Sequence, residues 1–454
     1  MDVIVIETPQ LGDRSYLVHD GEVALVIDPQ RDIDRVEAVA RAAGVRITHV
    51  AETHLHNDYI TGGFALARAH GASYLVNAAE PVAFDRQPIS DGQTVRIGSL
   101  TVKAVATPGH THNHLSFIVD DGERQAVFSG GSLLYGSVGR TDLVAAADTV
   151  GLTHSQYSSV RRLVSEASAD AALFPTHGFG SFCSSGPASG AGASTIAEQM
   201  AANHALTDPD EDHFVRELIS NLTAYPSYYA HMGAANAQGP GPADLAEPES
   251  LDGTELGRRL ADGQWVVDLR QRVAFAHRHL HGSVSFEYGN SFSTYLGWLL
   301  PLGEPLTLVG SRDDVVNAVR DLSRLGIDSP DAAVGTDPRR LVPQAALDSY
   351  PQVGWDGVLA GLAPGDTVLD VRRTDEYARS RVAGAVNVPL HDVLPRLAEV
   401  PAGKLWVHCA TGYRAGIAAS LLQRAGRDVV HIDARFSDAG SAGIPLERFR
   451  STAG

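Results

Sequence analysis

Cysteine is nearly absent. The 454 residues contain two, Cys183 and Cys409. That excludes a disulfide framework, and chemistry at either free thiol needs a reducing compartment. Positive charge is also scarce: 36 basic against 54 acidic residues give a formal net charge of −18, with no basic stripe. Nucleic acids and anionic membrane surfaces are drawn by clustered positive charge, so neither is an expected partner. No apolar run is long enough to span a bilayer. The stretch Tyr295–Gly310 is broken by Pro301, Gly303, Glu304 and Pro305. The start, Met1-Asp2-Val3-Ile4-Val5-Ile6-Glu7, lacks the basic segment and long apolar core of a secretion signal. The expected setting is cytoplasmic. What is present is enough apolar material, 44% of residues, for several cores, and a length that suggests about three domains.

The first ~180 residues alternate short β-rich runs with turns. Strands are expected at Val3–Ile6, Ser15–Val18, Ala24–Ile27, His49–Glu52, Tyr74–Val76, Thr101–Ala106, Ser116–Val119 and Ala126–Ser129, with helices at Ile33–Ala43 and Gly63–His70. The pattern predicts an α/β sandwich. The small-residue stretch Gly178–Ser194 reads as a loop, Ile196–Leu222 as a helical segment, and Gly239-Pro240-Gly241-Pro242 as a linker. Beyond it the chain repeats itself. Val266-Val267-Asp268-Leu269-Arg270 returns as Val368-Leu369-Asp370-Val371-Arg372, an offset of 102 residues that Phe275/Tyr377 and Gly282/Gly384 share. Two copies of one α/β unit are expected.

The second copy carries Cys409-Ala410-Thr411-Gly412-Tyr413-Arg414 between an apolar strand, Leu405–His408, and an apolar helical run, Ala415–Leu422. At a strand-to-helix turn the backbone N–H groups point inward and the helix end adds partial positive charge, so the turn stabilises a thiolate. Arg414 closes the ring. Loops one residue longer resemble those of cysteine phosphatases; this shorter loop resembles that of rhodaneses, whose cysteine carries a sulfane sulfur. That resemblance implies Cys409 and Arg414 as catalytic residues and Ala410, Thr411, Gly412 and Tyr413 as the persulfide loop. In the first copy the strand Leu306–Val309 leads into Gly310-Ser311-Arg312, with no cysteine, so it is expected to be a structural or docking module.

A second constellation is Thr53-His54-Leu55-His56-Asn57-Asp58-Tyr59 after an apolar strand. It is followed by Thr107-Pro108-Gly109-His110-Thr111, Phe128-Ser129-Gly130-Gly131 and Phe174-Pro175-Thr176-His177-Gly178. Two histidines two apart on a turn can approach one cation, and imidazole suits zinc and iron. This ordered set resembles the metallo-β-lactamase fold over roughly Met1 to Met232. The run from Gly130 to Asp142 resembles persulfide dioxygenases, which use non-haem iron held by two histidines and a carboxylate. Carried over, the resemblance gives His54 and His110 as ligands, but Gly131 stands where that family has aspartate. Tyr59 likewise replaces the last histidine of the fuller H-x-H-x-D-H motif, which disfavours a two-metal thioester hydrolase. His54, His56 and His110 are the expected ligands of a single ion, iron(II) ahead of zinc. Asp58, His177 and Asp142 stand as further metal or supporting candidates, and Arg140 as a binder of the substrate's anionic end.

The expected architecture is an N-terminal αββα metallo-β-lactamase-like sandwich (1–240, with a helical extension), then a cysteine-less rhodanese-like domain (245–340) and a rhodanese domain (345–454), the last two with parallel sheets. The resemblance implies sulfide detoxification: persulfide and O2 give sulfite and thiol, and Cys409 exchanges sulfur with thiosulfate or sulfite. Two alternatives remain open. One is a sulfurtransferase whose N-terminal domain binds without catalysing and holds no metal. The other is a zinc thioester hydrolase. A homodimer is the expected assembly.

Overall fold

The computed structural model describes residues 1–186, 192–342 and 346–448. Residues 187–191 of the Gly178–Ser194 stretch, and the ends of the expected third domain at 345 and beyond 448, lie outside the described residues. The chain forms two compact units, residues 1–245 with 320–328, and residues 246–319 with 329–454.

The first unit is a sandwich of two six-stranded sheets. One runs in sequence order through β1 (Asp2–Thr8), β2 (Asp13–His19), β3 (Val23–Ile27), β4 (Arg46–Ala51), β5 (Ser73–Asn77) and β6 (Gln87–Ile89). The other runs from β7 (Thr94–Ile97) through β8 (Leu100–Ala106), β9 (Leu115–Asp120), β10 (Gln125–Gly130) and β11 (Ala172–Pro175) to β12 (Ser194–Thr195). The period-two alternation decides the layers, because successive side chains leave opposite faces of a strand. Leu25 and Ile27 of β3 join Tyr16, Leu75, Val102, Phe117 and Phe128 between the sheets. Their neighbours Ala24 and Val26 pack outward against Val36 and Ala40 of α1 (Asp34–Ala43) and Leu66 and Ala67 of α2 (Gly63–His70). On the far side, Val105, Ile118 and Val127 meet Val160 and Leu163 of α3 (Thr149–Glu166). The layers are therefore αββα, as the strand pattern predicts.

Two differences from the sequence reading have physical causes. The segment 196–222 is three helices rather than one: α4 (Ile196–Ala202), α5 (His204–Thr207) and α6 (Glu211–Ser220). Asn203 turns extended and caps α5 through its side chain, and Asp208 is extended before Pro209 and an Asp210 cap. The 18-residue α3 escapes the pattern because Thr, Ser, His and Gln are interspersed along it, and its buried apolar residues are Leu152, Tyr157, Val160 and Leu163.

The second unit holds two parallel sheets, one per copy. The first has four strands, in the order Val284–Ser285, Trp265–Asp268, Leu306–Gly310 and Asp331–Val334. The second has five: Gln352–Val353, Val429–Ile432, Leu405–His408, Thr367–Asp370 and Val386–Asn387. The sequence repeat is a repeat of hydrogen bonds. Arg270 folds its guanidinium back on Asp268 and donates to the Arg278 carbonyl at 2.9 Å. Arg372 does the same with Asp370 and the Ser380 carbonyl at 2.7 Å. The D-x-R pattern is thus a clasp at the end of Trp265–Asp268 in one copy and of Thr367–Asp370 in the other. Among the described residues no helix is long and apolar enough to cross a membrane.

Candidate functional site

The turn after β4, the loop between β8 and β9, and the turn after β11 bring His54, His110 and His177 together. One nitrogen from each lies within 4.8 Å of the others. The three rings are at most 2% exposed. Each has its Nδ1 tied to an acceptor. His54 Nδ1 is 2.9 Å from Thr53 Oγ1, which itself donates to Asp28 at 2.8 Å. His110 Nδ1 donates to the Arg140 carbonyl at 2.7 Å, and His177 Nδ1 to Asp13 at 2.8 Å. With each Nδ1 tied to its acceptor, the three Nε2 atoms are turned toward one another. His54 and His177 Nε2 stand 3.4 Å apart. His110 Nε2, fully buried, finds no hydrogen-bond partner among the described residues. A buried lone pair left unmatched is costly unless something binds it. These observations fit a cation held by three imidazoles, each oriented by an outer partner.

The electrostatics differ from ring to ring, and a cation bound here displaces the Nε2 proton of His177. Burial, then the positive His177, push His110 down to about 3, so its ring is neutral. Burial and the surrounding imidazoles hold His54 well below its usual range. Burial opposes charge on His177, but Asp58 and Asp13 outweigh it and hold that ring well above its usual range. Burial and the neighbouring Asp58 raise Asp13 to about 8.

The other expected site residues are placed as follows. His56 stacks on Tyr59, with ring centroids 4.3 Å apart, and its Nε2 faces Asp28 at 3.3 Å and Glu52 at 3.2 Å; its ring adjoins that of His54, centroids 4.1 Å apart, and a donor atom also falls within 4.8 Å of Asp58 and His177. Although burial opposes it, Asp28 and then Glu52 raise His56 to about 9. Asp58 supports His177 at 3.2 Å. Arg140 and Asp142 bind each other. The buried guanidinium forks onto Asp142 at 2.7 and 2.8 Å, and its other donors reach the carbonyls of Phe182 and Thr223. That spends Arg140 inside the protein and turns Asp142 toward it. His114 accepts the Gly131 N–H at 3.0 Å, while His112 faces Asp148 at the surface. Cys183 is fully buried, and burial with Asp58 and Asp13 nearby keeps it a thiol. Asp13 carries no motif signal, because the fold alone brings it to His177, whereas Thr53 precedes His54 within the motif itself.

Gly131 is more than a missing carboxylate. A Cβ built there would fall 2.7 Å from both Cγ and Nε2 of His110, inside the space of that ring. His110 occupies the volume that a side chain at 131 would need. Gly131→Ala is therefore expected to destabilise the fold by about 1–3 kcal/mol through overpacking, read by urea unfolding, and to lower bound metal per chain. Unchanged stability would mean that the ring moves freely.

In the second unit, Cys409 follows the strand Leu405–His408 and is 1% exposed. The helix Tyr413–Arg424 begins at once. Gly412 has φ +92° and its N–H donates to Cys409 Sγ at 3.2 Å. A side chain there would meet the Asp433 carboxylate, so the loop needs glycine. The Gly412 carbonyl accepts from His431 Nε2 at 2.9 Å, and the Ala410 carbonyl from Phe436 N–H at 2.9 Å, which fixes the turn. Arg414 is held by Glu376 through a two-point fork of 2.6 and 2.8 Å. Burial alone would raise the Glu376 carboxyl, but Arg414 outweighs it and holds it below the usual range. This ion pair therefore persists above the ordinary carboxylate range and is lost as pH falls through the depressed value. The cysteine-less copy takes part: Tyr413 OH donates to the Glu287 carbonyl at 3.2 Å, and Tyr295 lies with its ring centroid 6.0 Å from that of Tyr413. Glu376 and Tyr295 lie outside the six-residue motif, and nothing in the sequence singles them out.

Comparison with known proteins agrees with both halves. Residues 11–178 match the metallo-beta-lactamase superfamily and residues 356–438 the rhodanese-like domain. An atrochrysone carboxyl ACP thioesterase of Emericella nidulans is 31% identical over 158 residues, 33% of this chain and 50% of its own. The human mitochondrial persulfide dioxygenase ETHE1 is 28% identical over 214 residues, 47% of this chain and 75% of its own. The chain spans about half the length, or less, of the first curated relatives it matches. The crystal structure of a metallo-beta-lactamase from Staphylococcus aureus subsp. aureus COL superposes with a TM-score of 0.65 at 25% identity, covering 73% of this chain and 98% of that one. With the imidazole cluster in the first unit and the cysteine loop in the second, this chain joins a metallo-beta-lactamase superfamily domain, residues 11–178, to a rhodanese-like domain, residues 356–438.

Proposed function

We propose that the chain is a sulfur-metabolising enzyme that couples O2-dependent oxidation of a low-molecular-weight persulfide to sulfur transfer at Cys409. The observation that carries this reading is the meeting, in one chain, of three locked imidazoles and a rhodanese-type cysteine loop. The likeness to human persulfide dioxygenase supports the first half and the rhodanese-like domain the second. His54, His110 and His177 would hold the metal; iron(II) there supplies O2 activation, and zinc a polarised water. His177 keeps its Nδ1 proton on Asp13, His110 on the Arg140 carbonyl and His54 on Thr53, which leaves the three Nε2 atoms to face the ion, with the Nε2 proton of His177 displaced on binding.

At the second site, the Cys409 thiolate attacks the outer sulfur of thiosulfate. The Sγ–S bond forms, the S–S bond of thiosulfate breaks, and sulfite departs with the electron pair. The product is the anion Cys409–S–S⁻, beside the Gly412 N–H and the Arg414 guanidinium. Run backwards, sulfite collects the sulfur as thiosulfate, which would consume the product of the first site. One chain carrying both sites raises the effective concentration of what passes between them.

The test is O2 consumption with glutathione persulfide by protein reconstituted anaerobically with iron(II), with His54→Ala as control. Uptake with sulfite formation, lost in the control, supports the reading. No uptake by folded, loaded protein sinks it for that substrate. The thioesterase relative supports a second reading: O2-independent hydrolysis of a thioester by the zinc form, with no sulfite, would establish it instead.

A further inference from the structure

We propose that the bend between α5 and α6 is a second metal site, separate from the buried imidazole centre, built by His204, Asp208, His213 and Glu217 for a zinc-like divalent ion. α6 presents His213 and Glu217 one turn apart on one face, and α5 with the bend after it presents His204 and Asp208. His204 Nε2 is 3.3 Å from Glu217 Oε2 and 3.7 Å from Asp208 Oδ2, and His213 Nδ1 is 2.7 Å from that same Oδ2. One donor atom from each of the four lies within 4.8 Å of the others. Four donors at about 2.0–2.1 Å from a tetrahedral zinc stand roughly 3.3 Å apart, so small side-chain rotations complete the set.

Asp208 is the fixed member. Its Oδ1 accepts the Asp210 N–H at 3.0 Å, and its carbonyl accepts from Tyr157 OH at 3.1 Å and from Arg161. Oδ2 is thereby turned onto both imidazoles. The Asp208 side chain is 7% exposed, whereas His204, His213 and Glu217 are 52, 56 and 44% exposed, open to an ion from solvent. Two neutral imidazoles and two carboxylates carry two negative charges, which one divalent ion cancels. Two nitrogen donors favour zinc, nickel or copper over magnesium and calcium, which take oxygen. The ion would clip the single turn of α5 to α6, whose Phe214, Val215 and Leu218 pack with Tyr157 and Val160 of α3.

The experiment compares zinc per full-length chain, after equilibration and removal of free metal, in wild type and His204→Ala/His213→Ala. Both retain the buried centre, so its occupancy cancels. One equivalent fewer in the double variant, with circular dichroism and sulfurtransfer unchanged, is expected; equal zinc in the two overturns the proposal. Glu217→Gln, an exposed near-isosteric change, is expected to weaken zinc binding at this site at least about tenfold by calorimetry. Unchanged affinity there overturns the proposal whatever the double variant does.

Discussion

Cys409→Ser is expected to lower thiosulfate:cyanide sulfurtransfer at least about a thousandfold while leaving O2 uptake and metal content unchanged. Serine is close to cysteine in size and keeps a partner for the Gly412 N–H, so the turn survives. What is lost is the polarisable thiolate that forms and gives up an S–S bond. The Arg414–Glu376 fork and the His431 contact to the loop do not depend on sulfur, so they remain. The loss should therefore fall on turnover rather than on folding, which circular dichroism and a thermal midpoint check. Retained sulfurtransfer in this variant would refute the assignment of Cys409.

His110→Ala is expected to weaken metal binding at the buried centre at least about a hundredfold and to abolish O2 uptake with it, leaving sulfurtransfer intact. It removes an Nε2 that has no hydrogen-bond partner among the described residues, unlike those of His54 and His177, which stand within reach of each other. It also empties the space against Gly131. A two-way cycle tests that mutual exclusion. Gly131→Asp alone should destabilise, because the new side chain and the His110 ring compete for one volume. In the His110→Ala background the same change should be tolerated, and the two effects should fail to add by about 1–3 kcal/mol. Additive effects would show that residues 110 and 131 do not share that volume. Full O2 uptake by His110→Ala would remove this imidazole from the centre.

The sequence made the layers legible because alternation is a local property. Ala24 to Ile27 are apolar throughout, which fits a strand buried on both faces. The repeat was legible for a similar reason: Asp268 and Arg270 bond each other two residues apart, so the clasp is written where it acts. The cysteine loop is local too. The metal centre is not. His56 and His177 are both motif histidines, and neither spacing nor residue type tells which Nε2 turns toward Asp28 and Glu52 and which toward the Nε2 of His54. Those partners come from distant parts of the chain: Asp28, just after β3, faces His56, and Asp13, at the start of β2, faces His177. Arg140 and Asp142 were legible as charged residues near the site, but their bonding to each other follows from the turn between them. Gly131 was legible as an absence. That His110 fills the gap is a fact of packing.

The setting of Cys183 has a practical consequence. Cys409 is almost equally enclosed, 1% exposed, so surroundings rather than access separate the two thiols: burial and acidic neighbours keep Cys183 protonated, whereas the Gly412 N–H donates to Cys409 Sγ. Intact-mass spectrometry of the folded protein should therefore count turnover sulfur atom by atom, each gain reporting Cys409 alone, so the molecule serves as its own internal standard for the direction in which sulfur flows.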